Sequence, residues 1–301
     1  MASSHSRARA AYSTAILVLL PLLSACSAGD TGASAPSSSP GAPQGRGEIH
    51  ELKDSKALKL PLDDYLVSAA DLTAIDEGHA SAIARCLARM GAPQAPKVRR
   101  DPLVHGNERR YGLADTKLAE QSGYHLPSAA RTGEKYPPSL MPVINGEVAE
   151  YNGTPVPEGG CGGEAQRELH GAEMQQTLGT AQRLNTEGFT KSRQDPAVTA
   201  VSAAWSKCMK ESGHDYPDPT AAINDTEFRG AEPTDREKKV ALADVQCKQK
   251  VNLIGVWAAA ETVYQQQLIK ENSAELEKGL AAKRATMSAA ASAVSGAAAA
   301  S

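Results

Sequence analysis

Between Ser68 and Met90 the residues Leu72, Ile75, His79, Ile83, Cys86, Leu87 and Met90 recur every three to four positions. That spacing predicts a helix with one face in a core. Ser68 and Asp71 form a capping box at its start, and Gly91 and Pro93 stop it. A second helix is predicted from Cys161-Gly162-Gly163-Glu164 to about Glu187, carried by Ala165, Leu169, Ala172, Leu178, Ala181 and Leu184. Asp195-Pro196 then supplies an N-cap and N1 pair. Val198, Val201, Trp205, Cys208 and Met209 form the inner stripe of that third helix before Ser212-Gly213 ends it.

A second capping box, Thr234-Asp235-Arg236-Glu237, opens a pattern unbroken to about Arg284. Val240, Ala243, Cys247, Ile254, Trp257, Tyr264 and Leu268 keep close to a 3.5 period, interrupted by Lys250 and Glu261. One straight helix of that length would span ~75 Å. The expectation is therefore a kink near Gly255 or a C-terminal part that projects. Beyond Ile269 apolar residues thin to Leu276 and Leu280, so 270–286 is expected as a solvated end or an arm for an envelope protein partner. Truncation after Ile269 would on that view leave the fold intact.

From Ala92 to Gly160 no period holds, and Pro and Gly are frequent. Gly112 to Gln121 predicts a short helix, and Val143-Ile144 or Glu147 to Tyr151 a short strand. Tyr111, Tyr124, Tyr136 and Tyr151 fall here, and Tyr216 lies in the turn-rich His214–Pro219. Two readings stand for these five: a tyrosine-lined cleft for a glycan or peptide, or amphipathic rings sealing a thin core under irregular loops. The fold class that follows is mainly α: a disulfide-stapled helical domain with a long C-terminal helix and an irregular Pro/Gly/Tyr-rich middle region.

The N-terminus is of a different kind. Arg7 and Arg9 precede the apolar run Ala15–Leu23, which is too short to span a bilayer. It ends in Leu23-Ser24-Ala25-Cys26, which looks like a bacterial lipobox: an apolar residue, two small ones, then the thiol that takes a diacylglycerol. Residues 1–25 are thus expected to be a signal peptide. Residues 26–47 would be the lipid anchor and a disordered Ser/Gly/Pro tether, 48–286 the helical domain with possible halves 48–190 and 191–286, and 287–301 a disordered Ala/Ser tail. The expected address is the extracytoplasmic face of the cell membrane, with the membrane reached through the lipid on Cys26.

Composition narrows the partners. The chain has 32 Lys and Arg against 35 Asp and Glu, and removing Arg7 and Arg9 takes the net charge from −3 to −5. A mildly acidic chain without a basic stripe argues against nucleic acid. Four cysteines remain outside the lipobox, and an even number in an exported chain reads as two disulfides. Zinc is disfavoured because no C-x-x-C or H-x₃-H spacing is present. Cys86–Cys161 and Cys208–Cys247 would each join a helix end to another helix. Cys86-Leu87-Ala88-Arg89-Met90-Gly91 and Cys208-Met209-Lys210-Glu211-Ser212-Gly213 echo one another as C-[LM]-x-x-x-G. If that echo marks a duplication with exchanged partners, the crossed pairs Cys86–Cys208 and Cys161–Cys247 are the alternative.

The motifs Trp205-Ser206-Lys207-Cys208-Met209…Gly213 and Ala243-Asp244-Val245-Gln246-Cys247-Lys248 resemble a family of uncharacterised exported lipoproteins of filamentous high-GC Gram-positive bacteria. The likeness covers roughly 195–280 and extends loosely to Cys86, Tyr111-Gly112, Gly123-Tyr124 and Cys161. It supports the helices and the cysteine framework and implies no activity.

No G-x-S-x-G elbow, P-loop, dinucleotide fingerprint or H-E-x-x-H occurs, and neither catalytic nor metal-ligating residues nor a cofactor are assigned. Thr132-Gly133-Glu134-Lys135 lacks the companion motifs of a Ser-x-x-Lys hydrolase. His79, His105, His125, His170 and His214 are scattered, and His79 reads as a hydrogen-bonded core residue. Glu164 and Glu168 share a helix face, expected to be solvated. The function expected is binding or scaffolding in the cell envelope. The alternatives are an envelope enzyme such as a cell-wall hydrolase, and an accessory or sensory lipoprotein of a membrane transporter or kinase.

Overall fold

Ser68 Oγ accepts from the Asp71 amide at 3.1 Å, and Asp71 Oδ2 accepts from the Ser68 amide at 2.8 Å. This capping box starts α1, Ala69–Arg89. The computed structural model describes residues 48–56, 58–92, 106–126 and 136–298. Cys26, the signal peptide, the tether, His105 and the Thr132–Lys135 box lie outside the described residues.

Side-chain caps begin several of the other helices. Asp115 caps α2, Thr116–Ser122, and α3 is Met141–Asn145. The helix expected to run from Cys161 to Glu187 is two: α4, Gly160–Glu168, and α5, Gly171–Arg193. His170 breaks it with a left-handed backbone (φ 53). The bend lets Leu169 pack with Cys161 while Ala181 and Leu184 face a different cluster. Asp195 and Asp218 cap α6, Pro196–Glu211, and α7, Pro219–Ile223. Thr234 caps α8, Asp235–Lys250, and α9, Leu253–Glu271, and α10, Ser273–Ala298, follow. The two short strands β1, Glu150–Tyr151, and β2, Thr154–Pro155, pair antiparallel. Asn152 (φ 48) and Gly153 (φ 77) form the turn between them, the two-residue hairpin geometry that Asn-Gly favours. Val143 and Ile144, a candidate strand, sit instead in α3.

The stretch from Thr234 to Arg284 is therefore not one helix. Its first break is at Asn252 (φ 52, ψ 43), three residues before Gly255, near which a kink is expected. Asn tolerates this conformation, and its amide holds the incoming chain: Leu52 N donates to Asn252 Oδ1 at 3.1 Å, and Asn252 Nδ2 donates to His50 O at 2.9 Å. Gly255 makes room for that segment, since a β-carbon there would lie 2.0 Å from His50 O. The second break is at Asn272, whose Nδ2 donates to Leu268 O at 2.8 Å.

The long C-terminal helix is present, but it does not project. It lies along α1 in the same direction: Lys283 pairs with Asp71 at 2.9 Å, Ala290 meets Gly78, and Ala293 O accepts from Arg85 Nη1 at 2.5 Å. Leu276, Ala282, Thr286, Ala290 and Ala293 are buried along it. The segment expected as an Ala/Ser tail is thus helical as far as Ala298. Alanine is the strongest helix former and small enough for two backbones to approach closely, which a search for large apolar side chains overlooks. Glu275, Glu277, Lys278 and Arg284 remain on its exposed face.

Among the described residues three hydrophobic clusters result. The largest joins Tyr111, Tyr124, Trp205, Val240, Ile254 and Trp257. A second holds Ile83, Cys86, Leu87, Val143, Cys161, Leu169 and Ala290, and a third holds Leu62, Leu184, Leu268 and Leu276. Segments from both ends of the chain share each cluster, so halves at 48–190 and 191–286 are not separate bodies. Disulfides join Cys86 to Cys161 and Cys208 to Cys247. By loop entropy each contributes ~4 kcal/mol.

Candidate functional site

The five tyrosines do not share a cleft. Tyr111 and Tyr124 are buried in the largest cluster, with Tyr216 packed against it, while Tyr136 and Tyr151 pack on the second. Tyr216 donates to Asp225 Oδ2 at 2.6 Å, and burial, aided by Asp225, pushes its phenol up to about 12. For Tyr111 and Tyr124 the sealing role holds, and their hydroxyls serve two buried polar networks that the sequence did not reveal.

The first network centres on Asp244, which has no solvent exposure. Trp205 Nε1 donates to its Oδ1 at 3.0 Å, Tyr124 donates to Oδ2 at 3.2 Å, and Lys248 Nζ donates to Oδ2 at 2.9 Å. The Lys248 ammonium, equally buried, also donates to Leu113 O at 2.9 Å. Burial pushes the Asp244 carboxyl up, against three donors that hold its charged form. Gly112 (φ 88) keeps this space open, because a β-carbon there would sit 2.8 Å from Lys248 Nζ. Gly123 (φ 56) does the same for Glu237, which accepts from the Tyr124 amide at 2.8 Å. Tyr124, Trp205, Asp244 and Lys248 thus meet in one place, with Gly112 making room there. Their chemistry is spent on the fold.

The second network centres on Glu261, also fully buried. It accepts from Tyr111 OH at 2.9 Å and Gln265 Nε2 at 2.8 Å, and pairs with Arg110. Gln265 Oε1 in turn accepts from the Leu62 amide at 2.9 Å. Burial and the adjacent carboxylate raise both phenols well above their ordinary range, so Tyr111 and Tyr124 stay neutral donors. A partial signal was visible: Glu261 interrupts the stripe at Ile254, Trp257, Tyr264 and Leu268, but Lys250 interrupts it too and is exposed, so the interruption alone did not tell a paired buried charge from a solvated one.

A concave surface lies elsewhere, over the second cluster. The Cys86–Cys161 bond pins α1 to the start of α4. Gly146 and Gly160 let the α3 and α4 backbones touch, since a β-carbon on Gly160 would lie 2.3 Å from Ile144 O. Between these elements opens a cleft of about 490 Å³ lined by Asp76, His79 and Ile83 of α1, by Tyr136, by Asn145, and by Gly159, Gly162 and Gly163. Tyr136 is half-buried and its phenol is raised by desolvation. His79 is also half-buried and lines this cleft rather than sitting in the core. Of the five candidate tyrosines, Tyr136 alone lines it.

Glu164 and Glu168 do not form a merely solvated face. Arg89 pairs with Glu164 at 2.5 Å and Arg85 pairs with Glu168, so the glutamates bridge α4 to α1. His125 Nε2 lies 3.3 Å from the buried Glu237 Oε2. Among the described residues no group of three His, Cys, Asp or Glu is arranged to hold a metal ion, and no helix is long and apolar enough to cross a membrane. Compared with protein-family models, curated proteins and solved structures, the chain matches none.

Proposed function

We propose that this chain is an exported lipoprotein, anchored through Cys26 to the outer face of the cell membrane, and that it binds a small ligand in the α1/α4 cleft. The lipobox supports the anchor, and two disulfides suit an oxidising compartment. One observation carries the binding reading. Asp244, Lys248 and Glu261 lie wholly in the core, whereas Tyr136 and Asn145, with Asp76 and His79, line an open cleft. A concave surface of that size, lined by polar and apolar groups together, can hold a small molecule.

The test is native mass spectrometry of the lipidated protein purified from its own membrane. A co-purifying small molecule is expected, absent from a Tyr136→Ala variant of equal stability. A ligand-free wild type, or an adduct indifferent to the substitution, rejects the reading. Cys26→Ser is expected to abolish labelling by a fatty-acid probe.

A second reading, an envelope hydrolase, draws on one observation: Asp76 and His79 are three residues apart on α1 and line the same cleft as Tyr136. A hydrolase would lose turnover of envelope substrates on His79→Ala with binding retained.

A further inference from the structure

Residues 48–62 cross the surface of the domain before α1, and their two parts are held differently. From Glu48 to Asp54 the side chains are exposed, except Leu52, which is half-buried. Among the described residues this stretch is tied to the rest of the fold by two side chains at the α8–α9 junction. Asn252 Nδ2 donates to His50 O at 2.9 Å, Leu52 N donates to Asn252 Oδ1 at 3.1 Å, and Gln249 Nε2 donates to Lys53 O at 3.4 Å. From Ser55 onward the chain is locked in. Ser55, Leu60 and Leu62 are buried, and Ser55 Oγ donates to Glu108 O at 2.6 Å. Asn107 Nδ2 donates to Leu58 O at 3.1 Å, and Leu62 N donates to Gln265 Oε1 at 2.9 Å. A stretch with few buried apolar contacts and exposed hydrogen bonds opens by itself, whereas one sunk in the core opens with the fold. The order of the ties matters as well. A pull from the N-terminal side meets His50, Leu52 and Lys53 in turn, so the bonds part singly before the load reaches Ser55.

We infer that residues 48–54 are a releasable strap, which lies on the α8–α9 junction at rest and peels back to Ser55 when the chain before it is pulled. This rests on the anchor at Cys26 as the source of the pull. Peeling seven residues adds up to ~25 Å of reach to the ~75 Å that the 21 residues between Cys26 and Glu48 could span at most, and leaves the core intact. Gly255 belongs to the device, because its missing β-carbon leaves the space that His50 O occupies. Asn252 belongs to it through the amide that its left-handed conformation turns toward the strap.

Hydrogen–deuterium exchange of the full chain in detergent tests it. Peptides within 48–54 are expected to exchange about tenfold faster than those within 55–66, yet slower than an unstructured peptide, and without acceleration by low urea. Asn252→Gly keeps the left-handed backbone and removes the amide, while Gly255→Ala fills the place of His50 O. Each should speed exchange in 48–54 about tenfold, with protection at 55–66 and the urea midpoint preserved. The unlipidated chain can also be pulled between a handle on the Cys26 thiol and one at the C-terminus. A lengthening of up to ~25 Å should then precede unfolding and vanish in Asn252→Gly. Exchange of 48–54 at the rate of 55–66, at the rate of a free peptide, or unchanged in both variants overturns the strap, as does a pull without that step. The fatty-acid probe decides the anchor separately: a strap that peels in a chain never labelled at Cys26 keeps the device and refutes the source of its load.

Discussion

Gly78 on α1 faces Ala290 on α10 so closely that a β-carbon at position 78 would lie 2.6 Å from the Ala290 Cα. The first and last long helices of the domain therefore touch backbone to backbone. A methyl group here has a rigid neighbour and cannot be absorbed by a flexible side chain. Gly78→Ala should destabilise by ~1–3 kcal/mol through overpacking, although alanine favours the helix by ~1 kcal/mol. Gly179 on α5 has open space around its would-be β-carbon, so Gly179→Ala should stabilise slightly. Urea unfolding of both variants checks the opposite signs. The same contact predicts that truncation after Ile269 unfolds the domain, which circular dichroism would register.

Asp244 and Lys248 form a fully buried pair, and breaking it from one side strands the other charge. Lys248→Met should cost ~3–5 kcal/mol. Adding Asp244→Asn to Lys248→Met should cost less than the two single losses summed, because the double variant leaves no unpaired charge. A double-mutant cycle by chemical denaturation measures the coupling, and strict additivity would show that the two do not act as a pair.

Acid should loosen the α1–α10 contact. Burial opposes ionisation of Asp71, but Lys283 and the Ser68 cap outweigh it and hold the carboxyl below its ordinary value. A carboxylate lowered in the folded state adds stability above its unfolded pKa of about 3.9, and that stability is lost as pH falls through the folded value. Asp71→Asn should lower the urea midpoint at neutral pH and make no difference once the pH is below the lowered folded value, since wild-type Asp71 is then protonated too. A midpoint gap that persists unchanged in acid would show the ion pair contributes nothing.

Much of the helical layout was legible because it rests on local chemistry. Ser68, Asp195 and Thr234 each announced a helix start, and the inner stripe from Val198 to Met209 is the one buried. Nothing in the sequence marked the break at His170, and the break expected near Gly255 falls at Asn252, a place that depends on a distant partner. Asn252 takes its left-handed conformation while holding His50 and Leu52, some 200 residues away. The course of α10 was missed for another reason: Ala290 and Ala293 bury little area each, so their stripe carries almost no hydropathy signal. The tyrosines were grouped by composition, but Tyr111 and Tyr136 are separated by which helix supplies their neighbours. The glycines around Cys161 were visible in the chain. Their meaning, a floor between α1 and α3, needed the fold.

The division between a folding framework and a recognising cleft is tested most directly by hydrogen–deuterium exchange. The full chain would be followed with and without the small-molecule fraction of an envelope extract from producing cells. Slower exchange is predicted in peptides covering 76–83, 136–145 and 159–163, with the Trp205–Asp244 region unchanged. Protection centred on Trp205, Asp244 and Lys248, or no protection anywhere, would contradict the account.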